Sequence, residues 1–263
     1  MYRLIASDLD GTLLGPDGEP TKDLADAVGK LQRKGIHFVA ASGRMYTTQK
    51  EIAQKVCVSY SVIAYNGAVA VCEDGTVAER RIDTETMRGI IRYCYVRGYY
   101  VQCYHDAVIY TKEDSPLLRS DPDSRAVKIQ FGNLLEKELK PSPKIVIVPG
   151  LENVPAVISD VKSMYPKLYV TQSGPYVVEI MPGGVNKAKA LESICERLGI
   201  ESDEVIAFGD GMNDIPMIKW AGLGVAVGNA PDAVKKVATV VATKNGPDGV
   251  LEVLRGVFPD ILK

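Results

Sequence analysis

Residues 2–12 read YRLIASDLDGT and place two acidic side chains directly after a short apolar run. The run predicts a buried strand over 2–7, and Asp8 and Asp10 follow at its carboxyl end, where Gly11 lets the chain turn sharply. Ligands of an open α/β sheet bind beyond the carboxyl ends of its strands. Residues 8–12 are therefore the first candidate for a site of chemistry, with an ordinary acidic turn as the alternative interpretation.

The same pattern of strands and helices continues at both ends of the chain. Apolar runs predict further strands at 36–42, 62–65, 204–208, 222–227 and 237–242, and helices at 21–34 and 186–198. Continuous apolar strands separated by helices imply a parallel sheet that is covered on both faces. We therefore predict a doubly wound, Rossmann-like α/β core domain.

The middle of the chain predicts a different architecture. Short strands at 99–104 and 108–111, and again at 168–171 and 176–181, are spaced as antiparallel hairpins, with helices near 84–97 and 154–165. No such hairpin is predicted in the flanks. We therefore expect an inserted α+β cap domain over residues 82–181, which could act as a lid and divides the core into 1–81 and 182–263.

A second acidic, glycine-rich stretch, GDGMND at 209–214, also follows an apolar strand. If the two strands are neighbours, Asp210 and Asp214 would converge with Asp8 and Asp10. Carboxylates that close repel one another unless they are protonated or bridged by a cation. Because their oxygen ligands favour Mg²⁺ over zinc, the stretch predicts a magnesium site, with an acidic surface loop as the alternative.

Phosphate-binding groups are suggested at two further positions. Ser42 and the backbone N–H of Gly43 follow the second predicted strand, and Lys187 lies in the first turn of a predicted helix. A hydroxyl, an amide and an ammonium group can all bind phosphate oxygens. Each signal is weak alone, because serine–glycine turns and solvated lysines are common.

Composition excludes several classes of protein. The 263 residues are 46% hydrophobic and 24% charged, with a net charge of −2 that offers no basic field for nucleic acid. Five scattered cysteines indicate neither a disulfide framework nor a zinc site. No signal peptide or membrane span is predicted, so we expect a cytoplasmic protein with no membrane or nucleic-acid partner, as a monomer or homodimer.

Four motifs, in this order, resemble those of the haloacid dehalogenase superfamily of phosphohydrolases. They are DLDGTLL at 8–14, ASGR at 41–44, the lysine of GGVNKAKAL at 183–191 and GDGMNDIPMI at 209–218. The sequence NGA at 66–68 and the position of the insert resemble the Cof-type branch, which has a C2-type cap. The resemblance covers essentially the whole chain.

The resemblance implies roles for the acidic residues. Asp8 would attack phosphorus and form an aspartyl-phosphate, and Asp10 would donate a proton to the leaving group and then activate water. Mg²⁺ would be held by Asp8, the backbone carbonyl of Asp10 and Asp210. Asp214 would be either a further ligand or a partner that orients Lys187.

The resemblance also implies a phosphate-binding set. Its members would bind the phosphoryl oxygens: the backbone of Leu9, Ser42, Gly43, Lys187 and Asn213. Arg44 would either contact the leaving group or form a structural ion pair.

The implied function is hydrolysis of a small phosphorylated metabolite, such as a sugar phosphate or phosphoglycolate, with Mg²⁺ as cofactor. A sugar phosphomutase that uses the same two aspartates is one alternative. A non-enzymatic phospho-aspartate switch is the other, and the large insert, the distant second acidic loop and Asp10 argue against it.

Overall fold

Alternating strands and helices occupy both ends of the chain, and its middle forms a second sheet. The computed structural model describes residues 1–57, 59–75, 77–173 and 175–262. In chain order the strands are β1 (Leu4–Ser7), β2 (His37–Ala41), β3 (Ser61–Ala64), β4 (Val69–Val71), β5 (Val77–Glu79), β6 (Tyr100–His105), β7 (Val108–Thr111), β8 (Lys128–Phe131), β9 (Ile145–Val148), β10 (Tyr169–Gln172), β11 (Val178–Met181), β12 (Val205–Gly209), β13 (Leu223–Ala226) and β14 (Val240–Val241). The α-helices are α1 (Lys22–Gln32), α2 (Tyr46–Val56), α3 (Thr84–Arg97), α4 (Pro116–Ser120), α5 (Val154–Met164), α6 (Lys187–Leu198), α7 (Ile215–Trp220), α8 (Asp232–Lys235) and α9 (Gly246–Val257).

The chain forms two units. The first contains Met1–Arg44, Gln49–Ala78 and Asn186–Lys263, and the second contains Met45–Thr48 and Glu79–Val185. The limits of the inserted domain over 82–181 stay a prediction.

β1 lies inside the sheet of the first unit, and all four of its residues are buried. Among the described residues the sheet has eight strands, in the order β14-β13-β12-β1-β2-β3-β4-β5. β1 pairs in parallel with both β2 and β12, and the register sets Ser7 opposite Phe208. The residues that follow these two strands, Asp8 and Asp210, therefore leave the sheet at the same edge. The predicted doubly wound core is confirmed.

Helices cover both faces of this sheet. On one face α1 contributes Leu24, Val28 and Leu31 to a core that also contains Val250 and Leu254 of α9. Residues of α6 and α7 pack on the other face. This two-sided burial explains why the strands are continuous apolar runs.

A hairpin in the first unit corrects one expectation. β3 pairs with β4 in the antiparallel direction, through a turn at Tyr65–Gly67, although no hairpin was predicted in the flanks. β4 has only three residues, too few to give a recognisable strand pattern. The turn matters for the candidate site.

The second unit contains an α+β structure. Its described residues form a six-stranded sheet in the order β10-β11-β9-β6-β7-β8. β6–β7 and β10–β11 are antiparallel, which confirms both predicted hairpins. Apolar residues of α3 and α5, such as Ile90 and Val157, pack against one face of the sheet.

Within the part of the chain that the structure describes, every helix is too short or too polar to cross a bilayer.

Candidate active site

A buried lysine joins two of the predicted aspartates. The ammonium nitrogen of Lys187, the first residue of α6, donates to Asp8 Oδ1 at 2.5 Å and to Asp214 Oδ1 at 2.6 Å. The side chain of Lys187 is fully buried, and those of Asp8 and Asp214 are 8% and 1% exposed. Asn186 caps the helix by accepting the Lys189 N–H at 2.9 Å, so that α6 begins at Lys187.

Asp214 uses both carboxylate oxygens. Oδ1 binds Lys187, while Oδ2 accepts the backbone N–H groups of Asp210 at 3.1 Å and Gly211 at 2.8 Å. These bonds hold the loop that carries Asp210 and orient Lys187. Of the two roles expected for Asp214, the contact with Lys187 is observed, and direct metal ligation stays a prediction.

Asp210 is held from two sides. Thr12 Oγ1 donates to Oδ1 at 3.0 Å, and Asn229 Nδ2 donates to Oδ2 at 3.0 Å. The same Asn229 nitrogen donates to the Gly11 carbonyl, and Asn229 Oδ1 accepts the N–H of Gly246 at 2.8 Å. Sequence reasoning missed Asn229. Its position after β13, the neighbour of β12 in the sheet, is the signal that could have found it.

Three carboxylates converge at this edge of the sheet. Oxygens of Asp8, Asp210 and Asp214 all lie within 4.8 Å of one another. The pKa of Asp8 is raised to about 8, because the effect of burial, with a smaller contribution from Asp214, outweighs the lowering by Lys187. Burial also raises the pKa of Asp210. A set of desolvated oxygen donors that repel one another fits a hard divalent cation, which would favour their charged forms.

The cluster keeps Lys187 charged. Burial alone would lower the pKa of this lysine, but the carboxylates of Asp214 and Asp8 hold it above its ordinary value. The lysine therefore supplies a fixed positive charge beside Asp8.

Asp10 lies outside this carboxylate group. Its side chain is 56% exposed and makes a two-point ion pair with Arg44, whose Nε donates to Oδ2 at 2.8 Å and whose Nη2 donates to Oδ1 at 2.5 Å. Of the two expectations for Arg44, the structure contains the ion pair. A leaving-group contact stays a prediction.

Three of the predicted phosphate-binding residues, Ser42, Gly43 and Asn213, lie on loops that meet at Asn66. The N–H of Arg44 donates to Ser42 Oγ at 3.2 Å, and the Asn213 side chain donates to Asn66 Oδ1 at 2.9 Å. Gly43 lies against the Asn66 amide, whose nitrogen is 3.1 Å from the position that a Cβ on Gly43 would take. Leu9 is fully buried, and its carbonyl accepts N–H groups from the turn that follows.

Replacing Lys187 by methionine is expected to lower the free energy of unfolding by about 3–5 kcal/mol, because two buried carboxylates lose their cation. Lys187 lowers the pKa of Asp8, which burial raises, so without the lysine the pKa of Asp8 rises further. The loss of stability is therefore greatest at a pH where Asp8 is ionised and shrinks as the pH falls. Urea denaturation across pH measures this. Lys189→Met, at an exposed position of the same helix, is the control, and an equal loss in both variants would contradict the assignment.

Comparison with known proteins places the whole chain in one family. The sequence profile of the haloacid dehalogenase-like hydrolases matches residues 5–254. The 5-amino-6-(5-phospho-D-ribitylamino)uracil phosphatase YcsE of Bacillus subtilis is 30% identical over 256 residues, which cover 96% of this chain and 94% of YcsE. A phosphoglycolate phosphatase of Methanopyrus kandleri is 29% identical over 266 residues, 99% of each chain.

Two solved structures of similar fold support the same family assignment. A haloacid dehalogenase-like hydrolase from Bacteroides thetaiotaomicron has a TM-score of 0.90 and 29% identity, over 98% of this chain and 100% of that one. The protein TM0651 from Thermotoga maritima has a TM-score of 0.89 and 31% identity, with both chains fully covered. The resemblance drawn from the motifs is confirmed: the chain belongs to the haloacid dehalogenase-like hydrolases.

Proposed function

We propose that this protein is a Mg²⁺-dependent phosphatase that hydrolyses small phosphorylated metabolites through an aspartyl-phosphate on Asp8. The observation that carries the proposal is the buried contact of Asp8 with Lys187, beside the carboxylates of Asp210 and Asp214. This arrangement combines a nucleophile, a fixed positive charge and a set of metal ligands. Family membership and the phosphatase names of the relatives support it.

In the proposed reaction, a carboxylate oxygen of Asp8 bonds to phosphorus as the ester bond breaks. The leaving oxygen takes a proton from Asp10. Water then attacks phosphorus and gives a proton to Asp10, while the bond to Asp8 breaks and phosphate is released. Lys187 stabilises the negative charge that spreads over the phosphoryl oxygens in the transition state.

The residues proposed to hold Mg²⁺ are Asp8, Asp210 and the backbone carbonyl of Asp10, with Asp214 as a ligand or as the partner of Lys187. When bound, the ion would offset the negative charge of the carboxylates and of the incoming phosphate. Thr12 and Asn229 would keep the Asp210 carboxylate in position through their hydrogen bonds.

Arg44 has a positioning role in this proposal. Its two-point contact holds the exposed Asp10 carboxylate in one orientation. Each carboxyl oxygen has two lone pairs, so the proton that Asp10 donates would lie on a lone pair that Arg44 does not use.

Asp10→Asn is expected to lower kcat by about 100-fold or more for an alkyl phosphate, and by much less for p-nitrophenyl phosphate. The aryl leaving group needs little protonation, whereas an alkoxide needs a proton. The measurement is the ratio of kcat/KM for the two esters. Asp26→Asn, at an exposed position of α1, is the control and should keep the wild-type ratio. An unchanged ratio in Asp10→Asn would remove the general-acid role.

The substrate class is tested by phosphate release from a broad panel of phosphomonoesters with Mg²⁺ present. The panel includes sugar phosphates, phosphoglycolate and the phosphoribityl compound named for YcsE. Release of phosphate in proportion to substrate loss supports a phosphatase. Conversion of a hexose phosphate to an isomer, without phosphate release, would show a mutase, and no turnover of any ester would contradict an enzymatic role.

We further propose that the protein acts in the cytoplasm, as a monomer or homodimer, without nucleic-acid or membrane partners. The net charge of −2 supports the first exclusion. The five cysteines are free and buried, which is consistent with a reducing compartment.

A further inference from the structure

The turn between β3 and β4 has an unusual backbone. Tyr65, Asn66 and Gly67 have φ angles of 51°, 55° and 104°, so three consecutive residues lie in the left-handed region. Tyr65 and Asn66 are also buried, at 2% and 7% exposure. Asparagine tolerates this conformation moderately and tyrosine poorly, so both positions carry strain. Strain of this kind persists only where surrounding contacts hold it, and it clusters at functional sites.

The strained residues bind the loop proposed to hold phosphate. The N–H of Asn66 donates to the Ser42 carbonyl at 3.0 Å, and the N–H of Tyr65 donates to the Arg44 carbonyl at 3.1 Å. The backbone N–H groups of Tyr65 and Asn66 are thus directed at the residues on either side of Gly43. The left-handed conformation is what brings these two N–H groups to one loop.

The same turn reaches two other parts of the site. Asn66 Oδ1 accepts one N–H of the Asn213 side chain at 2.9 Å. A Cβ on Gly67 would lie 2.3 Å from the carbonyl oxygen of Asn186, so only glycine fits there. Asn186 is the residue that starts α6 and precedes Lys187. The turn therefore contacts the Ser42–Arg44 loop, Asn213 and the beginning of the lysine helix.

We infer that the Tyr65–Gly67 turn positions the phosphate-binding groups, and that Asn66 is the positioning residue that sets the Ser42–Arg44 loop and the Asn213 amide relative to each other. The inference rests on the proposed phosphatase function. Asn66 acts through its neighbours. Its Oδ1 accepts a hydrogen bond from one N–H of the Asn213 side-chain amide. This bond fixes the orientation of the amide and leaves its second N–H pointing away from Asn66. Its backbone N–H fixes the carbonyl of Ser42.

Asn66→Gly separates positioning from folding. Glycine adopts the left-handed conformation without strain, so the backbone bond to Ser42 can persist while the side-chain bond to Asn213 is lost. We expect Tm to stay equal or rise, and kcat/KM for p-nitrophenyl phosphate to fall about 10- to 100-fold, because small displacements of binding groups are costly. The fall in kcat/KM should come mainly from an increase in KM. It should be similar for alkyl and aryl esters, since the phosphoryl group is common to both.

Two further variants separate the loss of the Asn66 side chain from the relief of backbone strain. Asn66→Ala removes the same side chain but keeps the strain, so its activity should match Asn66→Gly while its Tm is lower. Asp106→Gly is the matched control, because Asp106 has a φ of 48° in the exposed turn between β6 and β7. Its replacement by glycine relieves comparable strain in the second unit, whereas Ser42 and Asn213 belong to the first, and kcat/KM should not change.

The affinity for inorganic phosphate, measured by calorimetry with Mg²⁺ present, tests the inference without turnover. It should fall in Asn66→Gly and Asn66→Ala by the same factor as kcat/KM. If wild-type protein binds phosphate and Asn66→Gly binds it equally well, the inference is wrong and the proposed function stands. A fall in Tm for Asn66→Gly as large as that for Asn66→Ala would show a role in folding instead. If the wild type neither binds phosphate nor hydrolyses the ester, both the inference and the proposed function fail.

Discussion

Replacing Asp8 with asparagine is expected to lower kcat by at least about 10,000-fold, because an amide is nearly isosteric with the carboxylate but does not attack phosphorus. The variant should remain folded. An amide oxygen can still accept the hydrogen bond from Lys187, and the change removes a charge that burial disfavours, as the rise in the pKa of Asp8 to about 8 indicates. We therefore expect a Tm equal to or above that of the wild type, as is common where active-site residues are held at a cost in stability.

The experiment compares Asp8→Asn with the surface variant Asp26→Asn in phosphate release and thermal unfolding. Asp26→Asn should behave as the wild type in both. If Asp8→Asn has wild-type thermal unfolding and still releases phosphate at an appreciable rate, Asp8 is not the nucleophile. If it unfolds, the carboxylate is needed for the fold and the expected stability is wrong.

Removal of divalent cations is expected to abolish turnover, and added Mg²⁺ should restore it. The oxygens of Asp8, Asp210 and Asp214 repel each other and an incoming phosphate dianion, and Lys187 supplies only one positive charge. Ca²⁺ should restore little activity, because its larger radius and looser coordination disturb the reacting geometry.

Chelation with EDTA is compared with the preformed Mg²⁺–EDTA complex, which controls for effects of the chelator itself. Mg²⁺ should also raise the Tm of metal-free protein, by an amount that grows with the logarithm of its concentration above its Kd, and this readout does not need turnover. In Asp210→Asn both the rescue of activity and the rise in Tm should require more Mg²⁺. Full turnover in protein shown to be metal-free would contradict the metal assignment.

The core was predictable from sequence because its signals are local. Apolar runs gave β1 and β12, and the acidic residues that follow each run lie at one edge of the sheet because the two strands are parallel neighbours. The helix predicted over 186–198 is observed as α6. Asp8, Asp210 and Asp214 are brought together by these three elements.

What sequence could not supply depends on distant contacts. Asn229 bonds to Asp210 because β13 lies beside β12. The sequence predicts a strand that ends just before Asn229, but it does not indicate which strand is its neighbour. Asn66-Gly67 is a common turn dipeptide. Two other features follow from packing of the whole unit. Tyr65 shares the left-handed conformation, and Asn66 bonds to Asn213, which lies far along the chain.

The central claim is that the phosphoryl group passes through a covalent intermediate on Asp8. The most direct measurement is the stereochemical course at phosphorus, with p-nitrophenyl phosphorothioate made chiral by oxygen isotopes and hydrolysed in isotopically labelled water. Two successive in-line displacements, first by Asp8 and then by water, predict retention of configuration. Inversion would mean that water attacks the ester in a single step, and it would contradict the account.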